Sequence, residues 1–256
     1  MKCVFQQTFA AAALLLLSAP ASAHFGMVIP STNIATQETR EIGLTLSFSH
    51  PFEGIGMDLV KPKRFFVVKD NQSVNLIDQL TQTQVMDHTG WTMSHRIQRP
   101  GVYHYVMEPT PYWEPAEDLF IIHYTKSTVA AFGADEGWDA PLGLPMEIVP
   151  LLRPYGNYQG NTFSGRVLID GTPATGAEVE VEYYSDGATL QSPTDYHITQ
   201  LVKADDNGIF SFACPLSGWW GFSALSEADY TITGQDKVEK AVELGAVLWI
   251  YLDSLP

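Results

Sequence analysis

The chain has 256 residues, with 29 Asp and Glu against 14 Lys and Arg and a formal net charge of −15. That balance excludes nucleic acid and anionic membrane surfaces as partners, because both reward clustered Lys and Arg. It is compatible with attracting cations, and equally with solubility alone.

Residues 1–23 read as a signal peptide: Lys2 near the start, an apolar run over 10–17, then Ala21-Ser22-Ala23 as an A-x-A cleavage site. Cleavage after Ala23 removes Cys3 and leaves Cys214 as the lone thiol, expected to be buried and inert. With no intrachain disulfide left to form, the exported chain fits a bacterial periplasm. Cleavage also makes His24 the first residue. Its free α-amine and imidazole then form a two-nitrogen chelate suited to Cu, Ni, Co or Zn. No later apolar run reaches the ~20 residues of a membrane-spanning helix, so the chain is expected to carry no transmembrane anchor.

From residue 24 onward the pattern is β. Strands are expected over 42–48, 64–68, 101–107 and 119–124, with a turn of helix over 74–80. Residues 133–160 are rich in Pro and Gly and lack alternation, but carry Trp138, Leu142, Ile148 and Tyr155, so they read as a packed, irregular connector. A second β unit follows. Residues 163–169 lead into Asp170-Gly171, a hairpin signal. Residues 177–184 alternate, with Val179, Val181 and Tyr183 on one face and Glu178, Glu180 and Glu182 on the other, which is expected to face solvent. Strands over 200–203 and 209–212 flank Asp205-Asp206-Asn207-Gly208, read as a tight Asn-Gly hairpin because the terminal Glu of a calcium loop is missing. Residues 242–251 form the last strand. The expected architecture is all-β: two β-sandwich domains of immunoglobulin-like or prealbumin-like type, 24–132 and 161–256, joined by the connector 133–160.

Metal-ligating candidates concentrate in the first unit. His50 ends a strand and precedes Pro51, while His104 and His123 lie within strands. A sandwich can bring such residues together although sequence spacing does not show it. Glu53, Glu114 and Glu117 lie near His50 or His123 in sequence and are placed to ligate or to orient an imidazole. Met27 and Met57 are soft donors whose ordinary role is packing. No G-x-S-x-G elbow, glycine-rich phosphate cradle, H-x-x-x-H pair or C-x-x-C pair is present, so the chain is not expected to be an enzyme.

Several longer segments carry a resemblance: His24-Phe25-Gly26-Met27, His50-Pro51-Phe52-Glu53-Gly54, Pro111-Tyr112-Trp113-Glu114-Pro115-Ala116-Glu117-Asp118 and Ile121-Ile122-His123-Tyr124-Thr125-Lys126. Glu147-Ile148-Val149-Pro150-Leu151, Arg153-Pro154-Tyr155-Gly156 and Gly218-Trp219-Trp220-Gly221-Phe222 extend it. Together they resemble the DUF4198 family of periplasmic proteins, which are associated with nickel and cobalt uptake transporters of the energy-coupling-factor type. The resemblance implies capture of Ni(II) or Co(II), or its delivery to a membrane permease component. The matching ligands would be His24, His50 and His123, supported by Glu53, Glu114 and Glu117; His104 belongs to no typical motif. Nitrogen ligands alone do not choose among nickel, cobalt, copper and zinc. Two rival readings remain. One is a copper enzyme with a histidine brace that oxidises polysaccharides. The other is an interaction module with metal-free histidines.

Overall fold

A computed structural model describes residues 24–256. The expected signal peptide, residues 1–23, lies outside these residues. The expected strands form, mostly longer than the alternation alone marks. The major strands are β1 (Phe25–Pro30), β2 (Glu41–His50), β3 (Arg64–Lys69), β4 (Thr81–Val85), β5 (His88–Arg96), β6 (Gly101–Glu108) and β7 (Leu119–Ala131). They continue with β8 (Met146–Pro150), β9 (Thr162–Ile169), β10 (Glu178–Tyr183), β11 (Gln200–Lys203), β12 (Ile209–Ala213), β13 (Gly218–Glu227) and β14 (Glu239–Asp253).

Three sheets result. A central sheet runs β11-β10-β13-β14-β7-β6-β3, with short strands at its margins. A second sheet, β1-β2-β5-β4, packs on one face of the β7 end. The third is built on β9, paired to β8 and β12, and covers the opposite face at the β14 end. Each half keeps its own apolar core. Leu44, Leu46, Phe65, Tyr105 and Ile121 anchor one, and Ile148, Phe163, Val181, Phe222 and Leu248 the other. Each such fully buried side chain contributes roughly 1.5–3 kcal/mol.

The two halves are not separated in the central sheet. β7 and β14 pair in parallel, with Leu119–Ser127 set against Ala241–Trp249. Odd-numbered residues of both strands therefore face the N-terminal sheet, and even-numbered residues face the β9 sheet. This pairing explains why β7 is 13 residues long and β14 15 residues long. Each is covered on both faces, so each is apolar beyond any simple alternation.

Three local expectations change. The connector is not wholly irregular: Met146–Pro150 is a fully buried strand paired with β9, and burial on both faces removes the alternation that would have marked it. The turn at 205–208 forms, with Asp205 Oδ1 accepting from the Asn207 and Ile209 amides. Its flanking strands do not form a hairpin, however, because β11 pairs with β10 and β12 with β9. The turn thus carries the chain from one layer to another. Residues 74–80 give a short strand, Gln72–Asn75, and a single 3-10 turn, Ile77–Gln79. The Asp170-Gly171 hairpin does form, with φ of 47° and 75° as a type I′ turn requires.

Candidate functional site

β1 carries His24 to the inner face of β7. Gly26 makes the approach close, because a Cβ there would lie 3.3 Å from the His123 Cβ and closer still to Thr125 Oγ1. The His24 and His50 rings lie with centroids 4.7 Å apart. His24 stacks on Phe48 at 5.6 Å, and Phe48 meets His123 edge-on at 5.8 Å. Tyr112 flanks His24 at 6.4 Å. His50 and His123 are buried, and the His24 side chain is 11% exposed. The end of β2, the start of β1 and the middle of β7 thus bring together the three histidines singled out in the sequence.

Each of two rings is paired with a carboxylate. His24 Nε2 lies 3.1 Å from Glu114 Oε2, and His123 Nε2 lies 3.3 Å from Glu243 Oε1. His123 Nδ1 is buried and has no partner. Burial, reinforced by the neighbouring His50 and His123, lowers the His24 pKa to about 4 against the opposing pull of Glu114 and Glu243. The ring is therefore neutral near pH 7, the form that ligates a metal. Among the described residues, no group of three or more His, Cys, Asp or Glu side chains is placed so that it could hold a metal ion.

The other candidates fall on either side of this cluster. Glu117 stands on the exposed turn before β7, its pKa raised by partial burial and by Glu243 and Glu114. Glu53 acts on Glu182 instead. His104 is apart from the cluster, with Nδ1 3.0 Å from Thr128 Oγ1 and Nε2 3.0 Å from the Gly137 carbonyl oxygen. Both its nitrogens are used in joining the sheet to the connector. Met27 Sδ accepts from Ser49 Oγ at 2.7 Å, and Met57 packs on the N-terminal core. Cys214 is buried, which pushes its thiol up to about 12.

Glu243 was not among the sequence candidates. It reaches His123 because β14 lies beside β7, where Gly245 is paired with His123. The imidazole lies over that glycine: a Cβ at Gly245 would sit 2.6 Å from His123 Nε2. The only trace of this in the sequence is a glycine interrupting the apolar run of the last strand.

The expected solvent-facing carboxylate row is also corrected. Glu178 is exposed, but Glu182 is 1% exposed and Glu180 Oε2 is buried without a partner. The loop after β2 covers this face, with the Phe52 amide donating to Glu182 Oε2 at 3.3 Å and the Ser185 amide to the Pro51 carbonyl. Thr199 Oγ1 donates to Glu182 Oε1. Burial raises Glu180 to about 8, helped by Glu243, Glu182, Glu117 and Glu178. Burial raises Glu182 to about 7, against those two hydrogen bonds.

Comparison with known structures gives loose similarity. The D0-D1 domain of intimin matches 90% of this chain and 100% of its own at 12% identity, with a TM-score of 0.24. A trypsin-activated alpha-2-macroglobulin from Escherichia coli matches 91% of this chain and 16% of its own at 10% identity, TM-score 0.28. The titin immunoglobulin tandem A164-A165 matches 91% of this chain and 100% of its own at 8% identity, TM-score 0.21. Scores this low define no common arrangement. No functionally curated protein matches the chain. The profile of a domain of unknown function, DUF4198, matches residues 21–228, and the chain belongs to the DUF4198 family.

Proposed function

We propose that this chain is an exported transition-metal binding protein, whose cargo is Ni(II) or Co(II) captured for delivery to a membrane permease. The observation that carries the reading is the pairing at His123. Its Nε2 meets the Glu243 carboxylate while its Nδ1 is buried without a partner. A ligating histidine ordinarily donates its second nitrogen to a carboxylate, which sets the tautomer and the ring orientation. His24 repeats the arrangement through Glu114. After cleavage behind Ala23, the His24 amine and Nδ1 would chelate the ion, with His50 and His123 supplying further imidazoles. The donors would have to converge on the ion as it binds, with Glu114 and Glu243 holding the two rings from behind. The choice of nickel or cobalt rests on the family resemblance, since such nitrogen sets also suit copper and zinc.

The test is isothermal titration of tag-free protein beginning at His24 against Ni(II), Co(II), Cu(II) and Zn(II). The expected result is one tight site, lost in His24→Ala and His123→Ala and weakened by residues added ahead of His24. Binding unaffected by all three changes refutes the reading. Copper-selective binding with ascorbate-dependent oxidation of a polysaccharide would instead establish the histidine-brace enzyme.

A further inference from the structure

We propose a second cation site on the same inner face of the central sheet, in which Glu180 and Ser223 supply hard oxygen donors and the neighbouring Glu243 pairs with His123. An arriving divalent ion would be held by oxygen here before it passes to nitrogen; that last step alone rests on the function proposed above.

Glu180 of β10 is directly paired with Ser223 of β13, so both side chains project from one face. Ser223 is fully buried, and its hydroxyl has no partner. Glu180 Oε2 is likewise buried and unpartnered. Buried polar atoms are nearly always satisfied, so two buried, unpartnered oxygens on paired residues suit a cation as their common partner. The charges acting most on Glu180 are all negative: Glu243, Glu182, Glu117 and Glu178. A divalent cation would satisfy both oxygens and offset that field. Carboxylates and a hydroxyl are donors for Mg(II), Ca(II) or Mn(II), and they bind softer ions more weakly than imidazoles do.

The next pair on the same face of these strands, Glu178 and Leu225, borders an open groove. This groove of about 650 Å3 at the end of the sheet is lined by Glu178, Glu227 and Glu243, together with Gly176 and Leu225. Glu243 thus borders the groove on one side and touches His123 on the other. The site would close on its ion by rotation of the Glu180 and Glu243 side chains.

Mn(II) is the probe, followed by electron paramagnetic resonance on the tag-free protein beginning at His24. One site is expected, weakened at least tenfold in Glu180→Gln and in Ser223→Ala and retained in His24→Ala. Urea unfolding in a chelator checks that the variants are folded. Absence of Mn(II) binding to the unmodified protein at millimolar concentration, or equal binding by both oxygen-donor variants, overturns the proposal. Loss of Mn(II) binding in His24→Ala also overturns it, because the ion would then sit on the nitrogen site. A Mn(II) site that survives while Ni(II) fails to bind refutes the nitrogen reading alone.

Discussion

Replacing Glu180 with glutamine should stabilise the protein, by an amount that grows with pH. The folded carboxyl titrates at about 8 against an ordinary 4.5, because burial and four neighbouring glutamates oppose its charge. A raised folded pKa means that the folded state holds a proton which the unfolded state has released. Stability from this group is therefore complete below pH 4.5 and declines as pH rises towards 8. At about 1.4 kcal/mol per pH unit, the loss at pH 7 is about 3 kcal/mol. Glutamine has nearly the same shape and never ionises. The difference between variant and parent should be small at pH 4.5, about 3 kcal/mol at pH 7 and about 4 kcal/mol at pH 8. Urea unfolding followed by tryptophan fluorescence, in a chelator at several pH values, measures it. A difference that does not change with pH, or a variant less stable than its parent at pH 8, would refute the assignment of Glu180 as a buried, uncompensated carboxylate.

Gly245→Ala would place a methyl group 2.6 Å from His123 Nε2 and force the ring off Glu243. The expected cost is about 1–3 kcal/mol of stability from overpacking, with Ni(II) affinity reduced roughly 10–100-fold by loss of the supporting carboxylate, measured by titration on protein whose circular dichroism remains β. Lys126 and Glu147 form an ion pair of 2.6 Å, with side chains 3% and 2% exposed. Lys126→Met should cost about 3–5 kcal/mol by leaving Glu147 buried and unpaired, and the further change Glu147→Leu should recover part of it; no recovery in the double variant would show that the pair is not coupled. His104, lowered by burial to about 4 from 6.5, should destabilise the fold as pH falls through that interval, because the unfolded state takes up the proton first. His104→Asn should reduce the pH slope of stability there by up to about 1.4 kcal/mol per unit, and an unchanged slope in urea titrations would contradict the burial assigned to this ring.

Local patterns in the sequence carried much of the secondary structure. Alternation located β2, β9 and β10, and the Asp170-Gly171 pair marked its hairpin, because side-chain period and left-handed turn geometry depend on adjacent residues alone. Patterning failed at one strand covered on both faces. Met146–Pro150 reads as irregular for that reason. For the same reason Glu180 and Glu182 read as a solvent-facing row: alternation separates two faces of a strand, but only the loop after β2 shows that the second face is covered too.

The candidate site divides along the same line. The sequence alone offered the candidate metal donors, and its motifs singled out His24, His50 and His123 ahead of His104. Only the tertiary structure decided that these three meet. It also spent both nitrogens of His104 on Thr128 and Gly137. Glu243 owes its place to the parallel register that sets Ile121 beside Glu243 and His123 beside Gly245. That register joins residues more than a hundred positions apart. It is set by the burial of β7 and β14 against two different sheets, a long-range packing condition that no local period records.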